Sequence, residues 1–137
     1  MKRSGVPYSV VKIALAFGLA FSTLGWAGEV PDVNPFSGNQ KAIKSGRSWY
    51  QNLCGPCHGA TANGAGERGQ GADLRKLKIG FKGYVETVKN GRTIPGQSLA
   101  MPAWGGAIDD NTIYEMGAYL ETLANEEANW KEGAKKE

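Results

Sequence analysis

Two cysteines and one histidine are all that this 137-residue sequence holds of those types, and they stand together as Cys54-Gly55-Pro56-Cys57-His58. Two thiols three residues apart with an imidazole immediately after them form the attachment pattern of a c-type haem. Side chains at i and i+3 share one face of a helical turn. Both sulfurs can then reach the two vinyl groups on one edge of a porphyrin, and the next residue brings a neutral nitrogen beneath the iron. The expected cofactor is a single haem c, linked through Cys54 and Cys57, with His58 as one axial ligand of the iron.

Three other uses of the same residues make weaker sense. A structural zinc ion needs four ligands, and this cluster offers three with no second cluster to complete it. A disulfide between Cys54 and Cys57 would close a very short loop and stabilise little. Cys-Gly-Pro-Cys is also a thiol-redox tetrapeptide, but that chemistry places the motif after a buried strand. The run from Ser45 to Leu53 has no strand pattern and looks helical.

The second axial ligand decides what such an iron does, since an open position admits small molecules and a filled one mostly passes electrons. His58 is already used, which leaves methionine. Met116 falls on an apolar helical stripe, the usual place of a core-filling methionine. Met101 lies in an irregular stretch just before Pro102, where a loop can lay its thioether over the iron. Met101 is the ligand expected, with Met116 and an open or water-bound iron as the alternatives. His/Met ligation raises the potential and suits electron transfer. No nucleophile–base or acid–base pair is legible, so an electron carrier is expected and not an enzyme. Trp104, close behind Met101, is a candidate for the haem pocket, and Trp49 a second; Arg68, Arg75 and Arg92 are candidates for the propionates.

These residues need elements to hold them. Residues 1–27 read as a secretory signal peptide: Lys2, Arg3 and Lys12, an apolar run, then Gly25-Trp26-Ala27. That implies export to the periplasm, with no stable membrane insertion once the leader is removed. Residues 28–41, with Pro31 and Pro35, form an extended arm. The domain itself is 42–125. A first helix spans 42–53 with Ile43, Gly46, Tyr50 and Leu53 on one face, followed by a glycine-rich loop over 59–73 that wraps the proximal side of the porphyrin. A short helix covers 81–89 and stops at Asn90-Gly91. The stretch 94–108 is irregular, and a last helix covers 111–125, capped by Asp109 or Asp110. Residues 126–137 are a charged tail expected to fray. The fold class is all-α, three to four helices with long loops around one covalent haem.

Composition agrees. Beyond residue 27 the Leu, Ile, Val and Phe number 17, about 15 per cent, under the ~20 per cent at which a self-sufficient core becomes doubtful. A covalent porphyrin would supply the missing apolar mass. The formal charge of +3 is carried by the three cations of the leader, leaving 13 basic against 13 acidic residues. Such a balance gives no reason to expect nucleic acid as a partner.

With these residues in hand, the chain resembles the class I cytochromes c from about Ala42 to Leu123. Gly46 and Tyr50 match the first helix of that family, and Tyr119-Leu120 the aromatic partner on its last helix. Met101-Pro102-Ala103-Trp104 looks like the distal loop of bacterial members. The family has Gly-Pro-x-Leu after the glycine loop, with the proline carbonyl accepting the proximal histidine's proton; here the run is Gly71-Ala72-Asp73-Leu74. The resemblance implies that the Ala72 carbonyl takes over this task at the haem pocket. Asn34-Pro35-Phe36 and the following Gly38-Asn39 are similar to the start of cytochromes that serve quinoprotein alcohol dehydrogenases. That narrower likeness implies redox protein partners: a pyrroloquinoline-quinone (PQQ) dehydrogenase as donor and a terminal oxidase as acceptor, met by a monomer.

Overall fold

The computed structural model describes residues 28–69, 71–96 and 98–130; the expected signal peptide at 1–27 lies outside them. Four helices follow in order: α1 (Gln40–Leu53), α2 (Gly55–His58), α3 (Gly80–Asn90) and α4 (Asp110–Leu123), with a 3-10 turn at Leu74–Lys76 between α2 and α3. The described residues hold no strand, and the all-α expectation is met; the one β-bridge pairs Arg92 with Met101.

Caps set the helix limits. α1 begins two residues before the expected start because the Asn39 side chain accepts from the backbone N–H of Lys41 and Ala42 at 3.0 and 3.1 Å. That satisfies donors the helix leaves open. Asp109, not Asp110, caps α4, accepting from Thr112 N–H at 2.7 Å. α3 stops at Gly91, whose φ of 72° an L side chain rarely adopts. Pro56 sits in the first turn of α2, where a missing N–H costs nothing.

The first and last helices cross at Gly46. A Cβ there would overlap the Glu115 carbonyl and come within 2.8 Å of Met116 N, so only glycine allows this approach. Beside the crossing, Tyr50 meets Tyr119 with ring centroids 5.5 Å apart, the contact implied by the family likeness. Tyr50 is fully buried and donates its hydroxyl proton to Gly59 O at 2.7 Å. Burial raises its pKa well above the usual tyrosine value, so it stays a donor. On the other side of α4, α3 contributes Phe81, Tyr84, Val85 and Val88 to one core with Ile113, Tyr114 and Leu120.

Two terminal segments differ from expectation. The arm is anchored and bent where an extended run was expected. Residues 35–38 turn, with Ser37 N–H on Asn34 O at 3.1 Å and Asn39 N–H on Phe36 O at 3.0 Å. Asn34, 4% exposed, donates to Tyr114 O at 2.9 Å and accepts from Phe36 N–H. The tail does not fray over its described part. Asn125 and Asn129 pair with the backbone at Arg75 and Leu77, and Trp130 is buried against Tyr84 with centroids 4.9 Å apart. An indole has enough apolar area to order a short charged segment, which the charge pattern concealed. No helix among the described residues is long and apolar enough to cross a membrane.

Candidate functional site

The attachment motif is one tight turn. Cys54 closes α1 by donating its N–H to Tyr50 O at 2.8 Å, and its own carbonyl accepts from Cys57 and His58 at 3.1 and 2.8 Å. Both thiols are free; Cys57 is exposed and Cys54 half-buried. Burial, reinforced by the neighbouring Cys57, pushes the Cys54 thiol up to about 12. A redox thiol needs the opposite shift, since the thiolate is the nucleophile.

His58 is held by a backbone carbonyl. Its Nδ1 lies 2.9 Å from Ala72 O. A carbonyl only accepts, so Nδ1 carries the proton and the lone pair sits on Nε2, the nitrogen able to bind a metal. The contact inferred from the family's proline is therefore made by alanine. This works because the acceptor belongs to the main chain.

The glycine-rich loop explains how the carbonyl gets there. Its backbone runs against the motif: Gly64 N–H donates to His58 O at 2.8 Å, Arg68 N–H to Pro56 O and Gly71 N–H to Cys57 O, both at 2.9 Å. A Cβ on Gly66 would overlap the backbone of Pro56 and Cys57; one on Gly71 would lie 2.6 Å from His58 Nδ1. Glycine is needed here for close approach. Leu74 N–H donates to Ala62 O at 2.9 Å and fixes the far side of Ala72.

Met101 stands on the other long loop. Its N–H and carbonyl exchange hydrogen bonds with Arg92 at 2.8 and 3.0 Å. Three residues on, Trp104 N–H and Gly105 N–H donate to Val88 O and Lys89 O at 2.9 and 3.1 Å, satisfying the last carbonyls of α3. The segment bearing Met101 is thus fixed on the C-terminal end of α3. Met101 and Trp104 are both partly buried against the core. The two loops adjoin, since a Cβ on Gly69 would come within 2.5 Å of Leu99 Cδ1.

Other candidates separate. Met116 is 1% exposed, with its sulfur 3.8 Å from Cys54 Sγ, a core position beside the attachment thiol. Trp49 stands 43% exposed on α1, away from the buried cluster. Arg75 is engaged by Asp73 at 2.8 Å. Sequence reasoning noted Asn34 only within the arm likeness and missed its buried hydrogen bonds, and it missed Asn129 altogether, because single asparagines in polar stretches carry no periodic signal. Surface hollows of about 620 Å³ beside Ile43 and Leu123 and about 400 Å³ beside Glu86 and Asn90 do not border the attachment residues. Donor chemistry defines this site: two side-by-side thiols, an imidazole oriented by a carbonyl, and a close-packed glycine loop. That set fits a haem c.

Comparison with known proteins agrees. The family described as cytochrome C oxidase, cbb3-type, subunit III matches residues 41–120. A cbb3-type cytochrome c oxidase subunit CcoP of Azospirillum sp. (strain B510) is 37% identical over 89 residues, covering 59% of this chain and 28% of that protein. The chain thus spans little more than a quarter of that relative. Cytochrome c550 of Pseudomonas aeruginosa is 30% identical over 101 residues, 72% of this chain and 67% of that protein. The solved structure of cytochrome CL from the marine methylotrophic bacterium Methylophaga aminisulfidivorans shares the fold with a TM-score of 0.52 at 21% identity, covering 74% of this chain and 72% of that one. Family, relatives and fold agree with the motif: this chain belongs to that cytochrome family and is a class I c-type cytochrome.

Proposed function

We propose that the protein is a periplasmic one-electron carrier with a single haem c, linked through Cys54 and Cys57 and ligated by His58 and Met101. The observation that carries this reading is the His58–Ala72 hydrogen bond, which leaves Nε2 as the metal-binding nitrogen beside two free thiols. When bound, the haem supplies a reversible one-electron couple. The chain's part is to orient the imidazole through Ala72, to raise its basicity, and to hold a thioether on a fixed loop. Met101 fits the second position by its pinned backbone on the loop that adjoins the glycine loop. Met116 fits it poorly, because its sulfur is packed in the core 3.8 Å from Cys54 Sγ, the thiol that would hold the haem covalently. Trp104, partly buried behind Met101, would line the pocket.

The relatives named as oxidase subunits support a terminal oxidase on the acceptor side. For the donor, the arm sequence around Asn34-Pro35-Phe36 supports a PQQ-dependent alcohol dehydrogenase, met by a monomer. Export rests on the leader in residues 1–27, which lie outside the described residues. Visible and near-infrared spectra of the exported protein test the ligand set. Methionine bound to ferric iron gives a weak long-wavelength charge-transfer band. Absence of that band, with tight carbon monoxide binding to the reduced form, would favour an open-site haem enzyme or sensor instead.

A further inference from the structure

We propose that Asn129 is a positioning residue for His58, acting through the segment that carries the Ala72 carbonyl; this rests on the reading of His58 as an axial ligand.

Asn129 uses three of its polar groups on one short stretch. Its backbone N–H donates to Leu77 O at 3.0 Å, its Nδ2 donates to Lys78 O at 2.6 Å, and its Oδ1 accepts from Gly80 N–H at 2.8 Å. The last of these caps α3. Ile79, at the N-cap position, has no side chain that could do so. Four residues earlier Asn125 N–H donates to Arg75 O at 2.9 Å. One residue later Trp130, 3% exposed, anchors the strap against Tyr84, whose hydroxyl donates to Ile113 O on α4. Residues 125–130 therefore tie the 75–80 stretch to the core from outside the site.

Between Leu77 and Ala72 there are only Asp73 and the Leu74–Lys76 turn, capped by the Asp73 carboxylate on Arg75 N–H at 3.1 Å. A turn this short transmits displacement. Leu74 N–H on Ala62 O pins the near end of this turn and the strap pins its far end, so both together hold the Ala72 carbonyl on Nδ1. A stronger Nδ1–H···O=C bond makes the imidazole a better donor and favours the ferric state. Loosening the strap raises the potential.

The test compares the wild-type holoprotein with Asn129→Ala, reading midpoint potential and the exchange rate of the His58 Nδ1 proton by NMR. The expected result is a shift of about threefold toward the ferrous form, about 28 mV at 59 mV per tenfold, with faster exchange. Asn34→Ala, which loses a buried hydrogen bond away from this loop, should lower stability and move neither readout. If Asn129→Ala lowers stability while potential and exchange stay at wild-type values, the proposal is overturned. Should that variant fail to fold, Asn129→Asp keeps the acceptor for Gly80 and replaces the donor to Lys78 O with a charged acceptor, breaking that bond; unchanged readouts there overturn it equally. A wild-type protein whose His58 ring shows no iron-shifted resonances would instead overturn the axial-ligand reading.

Discussion

Nδ1 of His58 and the carbonyl oxygen of Ala72 stand 2.9 Å apart, bridging fourteen residues of chain. The family places a proline here, whose ring stiffens the acceptor. In this protein two main-chain bonds, Gly71 N–H to Cys57 O and Leu74 N–H to Ala62 O, hold the carbonyl from either side. The tautomer of the imidazole is thus set by backbone geometry.

Gly71→Ala tests that geometry. Its Cβ would lie 2.6 Å from His58 Nδ1 and 2.8 Å from Cys57 O. The ring or the loop must shift, weakening the bond to Ala72 and the donor strength of Nε2. The expected outcome is a raised midpoint potential with altered ferric electron paramagnetic resonance values. Wild-type values in both would contradict it.

Exchanging the two methionines separately assigns the sulfur ligand. Met101→Ala should lower the potential, since thioether ligation raises it, and should open the iron to carbon monoxide. Met116→Leu removes a sulfur from the core at nearly constant volume and should cost under about 1.5 kcal/mol, with ligand-sensitive spectra unchanged. Spectral loss in the Met116 variant alone would reverse the assignment.

The helix crossing makes a prediction about stability. Gly46→Ala drives a methyl group into the Glu115 carbonyl, so α1 and α4 must separate. Overpacking of this kind costs about 1–3 kcal/mol, and backbone, which cannot rotate away, places this site at the upper end. Denaturant unfolding of the holoprotein should show it as a lower midpoint; an unchanged midpoint would mean the crossing has slack.

Acid should weaken the turn next to Ala72. Hydrogen bonds from the Arg75 guanidinium hold the Asp73 carboxyl at about 2, below its ordinary 3.8. A lowered folded-state pKa gives stability that is present above pH 3.8 and lost as the pH falls through about 2. Asp73→Asn keeps the oxygen that caps Arg75 N–H and loses the charge. Its melting temperature should lie slightly below wild type at neutral pH, with the gap closing between about pH 4 and 2 and shrinking with added salt. A gap independent of pH would contradict the ion-pair origin.

Much of this molecule was legible because its signals are local. The Cys54–His58 motif, the Gly46/Tyr50 face and a cap at Asp109 or Asp110 each depend on neighbours within a turn, and α1, α3 and α4 follow from such patterns, whereas the short helix α2 was not placed. Residues 125–130 were hidden for the opposite reason. Asn129 and Trp130 act on partners about fifty residues away, and no periodicity announces a strap of single residues. Trp49 illustrates a different limit: the sequence left pocket lining and ordinary packing both open for it, and on α1 it stands 43% exposed. Ala72 was recoverable only through the family likeness, since an alanine carbonyl has no signature of its own.

The most direct test of the covalent haem is the intact mass of the exported protein under denaturing conditions, produced in a host that installs such groups. The account predicts one species heavier than the polypeptide by a single haem, with neither Cys54 nor Cys57 alkylable. A bare polypeptide mass with two reactive thiols would contradict it.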